Sequence, residues 1–153
     1  MRTSLRKNQR GAALIETAFT IPIILLISVG IFEFGRAFQT TQVMTNAARE
    51  GARQAILADK TDAEVKAVVE DYMKSGGLPC VGPNPPAGAN CSMSANVLID
   101  RNAPLGSNTA SRIEIQYFFN FMVLNPVVRL IVPDSTTGEA ITMTSVALMR
   151  NEG

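Results

Sequence analysis

Ala12–Phe32, AALIETAFTIPIILLISVGIF, is the stretch that decides the fold: 21 residues with a single charge, Glu16. At about 1.5 Å of rise per residue, a helix of this length spans roughly 30 Å, the thickness of a bilayer core. Four cations, Arg2, Arg6, Lys7 and Arg10, precede it with no acid among them, and Glu33 follows at once. By the positive-inside rule the N-terminus is expected in the cytoplasm and the rest of the chain beyond the membrane, in the periplasm or outside the cell. A cleaved secretory signal fits less well, because the run is long and Glu33-Phe34-Gly35-Arg36 is no small-x-small site. A buried helix of a soluble protein is the remaining alternative, and so long an apolar run fits poorly inside so small a domain.

Working outward, the charge is asymmetric. The net value of +1 combines a basic tail with a mildly acidic body, since residues from Gly11 onward carry ten basic and thirteen acidic side chains. A nucleic-acid binder would cluster its cations on the folded part, so no nucleic-acid partner is expected. The chain has no His and no Trp, and two cysteines. A Cys/His zinc site cannot be completed, the commonest general base is missing, and no Walker loop, GxSxG elbow or GxGxxG occurs. No enzyme activity and no cofactor are expected. The length of 153 residues fits one compact domain plus accessories.

The start of the apolar run carries two oddities. Gly11 separates the basic tail from the run, and Glu16 lies five residues on. A carboxylate in a membrane helix costs a few kcal/mol, less near an interface, and is a functional candidate by default. Arg10-Gly11-Ala12-Ala13-Leu14-Ile15-Glu16 resembles the processing site of type IV prepilins, which a prepilin peptidase cuts after Gly, leaving Glu as the fifth mature residue. Asn46-Ala47-Ala48-Arg49-Glu50-Gly51-Ala52-Arg53 resembles the TadE/TadF-like pseudopilins of tight-adherence (Flp) pilus systems, as does the ending Ser145-Val146-Ala147-Leu148-Met149-Arg150-Asn151-Glu152. The resemblance covers residues 9–57 and, loosely, the last strand. Flp major pilins carry Tyr or Phe after the Glu, where this chain has Thr17; with a folded C-terminal domain as well, the resemblance implies a minor pseudopilin. It further implies as partners a prepilin peptidase, other pilins and pseudopilins, an inner-membrane assembly platform, and lipid.

The residues support the same chemistry. A cut after Gly11 removes all four tail charges and frees an amine on Ala12, largely cationic at neutral pH. That amine lies about one helical turn from Glu16, and a neighbour's amine would make the carboxylate tolerable in a dry helix bundle. Snorkelling of Glu16 to the interface is the alternative. Pro22 is expected to kink the helix.

The sequence divides into a leader (1–11), a transmembrane helix (12–32), its continuation outside the membrane (33–57) and a domain (58–153). The fold class is α+β: the long helix, a second short helix and a small antiparallel sheet of about three strands. Phe34, Phe38, Met44, Ala48, Ala52 and Ile56 form a rough stripe expected to pack on the sheet. Ala47, Gly51 and Ala55 make a small-residue face open to the sheet or to a neighbouring subunit. Thr61-Asp62-Ala63-Glu64 reads as a capping box; Val65, Val68, Val69, Tyr72 and Met73 are the buried face of that helix, and Gly76-Gly77 ends it. Cys80 and Cys91 flank a Pro/Gly-rich loop and are expected to pair as a disulfide in an oxidising compartment, two free thiols being the alternative. Strands follow at Met93–Ile99, Ile113–Phe121 and Ile141–Met149. Pro126–Pro133 reads as an apolar loop, a core plug or an exposed contact patch.

The leading function is a membrane-anchored minor pilin that initiates, caps or regulates a pilus. The alternative is a permanently anchored periplasmic binding or sensor domain, and an anchored hydrolase is a distant third.

Overall fold

The computed structural model describes residues 9–57, 59–79, 81, 95–106, 108–132 and 140–151. Helix α1 (Gln9–Ala55) is followed by α2 (Asp62–Ser75), strands β1 (Asn96–Leu105) and β2 (Asn108–Phe119), helix α3 (Leu124–Ile131) and strand β3 (Ile141–Arg150). The three strands form one antiparallel sheet in the order β1-β2-β3. The fold is α+β as the sequence implies.

α1 runs without interruption for 47 residues, with Pro22 inside it. Its first half stands clear of the domain: no residue of its most apolar 18-residue window is buried. A core helix of a soluble protein would bury that surface, so this alternative does not describe the molecule. The second half is the rib of the domain. Glu33, Thr40, Met44, Ala47, Ala48, Gly51, Ala52 and Ala55 are all buried, recurring every seven residues or every three to four along one helical face.

This face corrects the expected stripe. Phe34 and Phe38 are 76% and 66% exposed. The step of six from Phe38 to Met44 is out of phase with a 3.6-residue period, so one stripe cannot hold both ends. The small-residue face belongs to the domain itself. A Cβ on Gly51 would lie 2.5 Å from Val69 Cγ2 and 3.5 Å from Ile113 Cγ2, so α2 and β2 close on α1 at the same point.

α2 begins on the expected box. Thr61 Oγ1 accepts from the Glu64 amide and the Glu64 carboxylate accepts from the Thr61 amide at 2.8 Å. It ends at Gly76, with Gly77 at φ +83° and the Leu78 amide donating to the Met73 carbonyl. A left-handed residue just past the helix is where glycine is favoured. Val65, Val69 and Met73 are buried, while Val68 is half-buried and Tyr72 exposed.

β2 is the central strand and alternates from Ser111 onward: Ile113, Ile115, Tyr117 and Phe119 point into the core. β1 extends further than the sequence implies, because a bulge between Asp100 and Ala103 lets it resume pairing at Ala103–Ala110. On β3, Ser145 is buried and Ile141 exposed.

The segment expected as a loop, Pro126–Pro133, lies mostly within α3, which begins two residues earlier. Pro126 stands third in that helix, inside the first turn, where a missing amide costs no hydrogen bond. Pro126, Val127 and Val132 are exposed, so at these positions the segment is a surface and not a core plug.

Candidate functional site

Gly11, Ala12 and Glu16 lie in the first turns of α1, on the part that stands free of the domain. A Cβ on Gly11 would meet nothing within 4 Å. Ala12 and Glu16 are four apart on one helix and therefore share a face. Their neighbours Leu14, Ile15 and Phe19 are exposed apolar side chains. The hydroxyls of this stretch are turned back on the backbone: Thr17 donates to the Ala13 carbonyl, Thr20 to the Glu16 carbonyl and Ser28 to the Ile24 carbonyl, each at 2.8 Å. Backbone acceptors thus absorb the polar groups of the run, leaving Glu16 as its one ionisable side chain. Cys80 and Cys91 lie outside the described residues.

Residues 11–53 match the TadE-like protein family. The matched segment begins at Gly11 and ends two residues before the end of α1. It therefore takes in the free apolar half and the buried rib together, and under a third of the chain. A TadE-like segment of this kind supports a protein associated with a Tad pilus system, and the long apolar helix fits a single-pass membrane anchor. No curated protein and no solved structure matches the chain.

Two further constellations went unread in the sequence. The first lies where the TadE-like helix leaves its apolar run. Glu33 is 2% exposed, and its carboxylate accepts from the Val123 amide at 2.5 Å and the Leu124 amide at 3.4 Å. Its other oxygen takes Arg36 Nη1 at 2.9 Å. The Arg36 guanidinium in turn lies 5.2 Å from the centre of the Phe119 ring, which meets Phe121 edge-on. Glu33 is thus the N-terminal cap of α3, supplied by a different element. A cleft of about 480 Å³ opens beside it, and Arg36 is the only charged residue among its described lining. The sequence signal was faint: Glu33 is in phase with Thr40 and Met44 on the buried face.

The second constellation closes the far end of α1. Arg101 donates to the Ala55 carbonyl at 2.8 Å and the Lys60 carbonyl at 2.7 Å, and pairs with Asp62 at 2.7 Å. Asn151 donates through its amide side chain to the Arg101 carbonyl and accepts from the Ser111 hydroxyl. The Ala55 carbonyl at the end of α1 and the Lys60 carbonyl of the turn after it are thus met from the β1 bulge. Asn151 belongs to the ending that resembles the pseudopilins, a stretch outside the family match.

Proposed function

We propose that this chain is a minor pilin, or pseudopilin, of a Tad (Flp-type) pilus. A prepilin peptidase cuts it after Gly11, and it then initiates, caps or regulates the filament. Its role is structural and not enzymatic. The observation that carries the reading is the TadE-like match beginning at residue 11, on a helix whose most apolar stretch is not buried by any of the described residues. A surface of that kind needs lipid, and later the packed helices of a filament.

The basic tail supports a cytoplasmic N-terminus and a domain on the periplasmic or extracellular side. The compartment would oxidise Cys80 and Cys91 to a disulfide. After cleavage the Ala12 amine of one subunit meets Glu16 of another, offsetting the cost of a buried carboxylate. Other pilins and the inner-membrane platform are the partners this chemistry implies.

Intact-mass analysis of protein from membranes of peptidase-positive and peptidase-null cells tests the reading. An N-terminus at Ala12 only in the positive strain is the expected result. An intact tail in both strains overturns it and favours the permanently anchored binding or sensor domain.

A further inference from the structure

The span and the α3 segment are joined at one level of the molecule. Glu33 is the first residue after the 21-residue apolar run, so in a bilayer it sits where α1 leaves the hydrocarbon core. Its carboxylate holds the amides of Val123 and Leu124, which fixes the start of α3 at that same depth. Around this level several described apolar side chains are exposed, beside the exposed Arg129. Met122 is 64% exposed, Val132 52% and Val127 38%, and Pro126 is exposed as well. On α1 itself Phe34 and Phe38 carry the apolar surface about a turn and a half past Glu33.

We propose that the Met122–Val132 segment rests in the headgroup boundary of the leaflet from which the domain emerges, a second lipid contact beside the spanning helix. The occupant is lipid because Glu33, the residue at which the span ends, holds the start of this segment at the same level through the Val123 and Leu124 amides. An apolar face on a short helix lies stably in that boundary. Two contacts fix the tilt and rotation of the domain relative to the membrane, where one spanning helix would leave it free to swivel. The inference rests on the transmembrane reading of α1.

The chain contains no Trp, so single-Trp variants report one position each. Full-length Val127→Trp, Met122→Trp, Leu148→Trp and Ile24→Trp proteins are reconstituted in phosphatidylcholine vesicles. Each is quenched with acrylamide from water and with nitroxide lipids labelled near the headgroup or at the end of the acyl chain. Val127→Trp and Met122→Trp should be quenched by the headgroup-level label and be several-fold less accessible to acrylamide than Leu148→Trp on the outer sheet face. Ile24→Trp should be quenched by the deep label. Loss of the Ile24→Trp signal alone defeats the spanning reading and the inference with it. If Ile24→Trp behaves as expected while Val127→Trp and Met122→Trp quench like Leu148→Trp, the interfacial contact is wrong and the span stands. Shielding of both from water and lipid alike overturns the proposal in favour of a protein contact, such as a second copy of the chain.

Discussion

The Glu33 carboxylate accepts a hydrogen bond from the Val123 amide at 2.5 Å, across ninety positions of sequence. One side chain therefore closes the end of the domain next to the apolar half of α1, binding α1 to α3 and, through Arg36, to the end of β2. Glu33→Ala would leave two half-buried amides without their acceptor and the partly exposed Arg36 guanidinium without its carboxylate. The expected loss is about 2–4 kcal/mol, with Glu33→Gln less damaging because it keeps an acceptor. Denaturant unfolding of the detergent-solubilised protein measures it, together with faster hydrogen exchange at Val123 and Leu124. A wild-type midpoint and unchanged exchange in Glu33→Ala would refute the cap.

Two glycines of α1 should respond with opposite signs. Gly51→Ala pushes a methyl into Val69 and should destabilise by about 1–3 kcal/mol. Gly35→Ala meets nothing within 4 Å and should stabilise the helix by about 0.5–1 kcal/mol. Adding Val69→Ala to Gly51→Ala should recover part of the loss in a double-mutant cycle. Additive effects of the two changes would mean that α2 does not close on Gly51.

Arg101 offers a contrast between a fork and an ion pair. Arg101→Met removes the donors to the Ala55 and Lys60 carbonyls and should cost about 1–3 kcal/mol. Asp62→Asn touches only the exposed pair and should cost at most about 1 kcal/mol. Thermal melts of the two variants rank them, and equal losses would contradict the assignment.

Acid should weaken the fold through Glu50. Hydrogen bonds from Arg53, then from Gln54, lower its pKa to about 2, against about 4.3 for an unperturbed Glu. A depressed carboxylate contributes stability in full above its unfolded pKa and loses it as pH falls through the folded value. The loss should therefore fall between about pH 4 and pH 2. Glu64, lowered by hydrogen bonds from the Thr61 amide and hydroxyl, acts in the same direction. Unfolding midpoints across this range should drop, and Glu50→Gln should flatten the slope. An unchanged slope in that variant would remove Glu50 from the account.

Glu16→Leu separates assembly from anchoring. It should insert and be cut after Gly11 as the wild type is, while crosslinking to other pilins and piliation fall. Glu16→Gln should be intermediate, since it retains hydrogen bonding without the charge. Wild-type crosslinking and piliation in Glu16→Leu would leave snorkelling as the explanation of the charge.

The sequence by itself determined whatever rests on a local period or a local hydrogen bond. A 21-residue stretch from Ala12 to Phe32 with a single charge specifies a bilayer-length helix, Thr61 and Glu64 specify where α2 starts, and alternation from Ile113 to Phe119 specifies a half-buried strand. Gly11 and Glu16 stand out as candidates for a local reason too, one at the border of the basic tail and the apolar run, the other the single charge inside the run. Tertiary structure decided the rest. The phase of α1 became fixed only when the sheet and α2 closed on Gly51, which leaves Phe34 and Phe38 outside and brings Glu33 and Thr40 in. α3 was hidden because its cap is Glu33 and not a neighbouring Ser or Asp, and Arg101 because the carbonyls it serves belong to α1 and the turn after it. A hydrogen bond between residues forty or ninety positions apart imposes no period on the chain, so it comes into view only once the elements have packed.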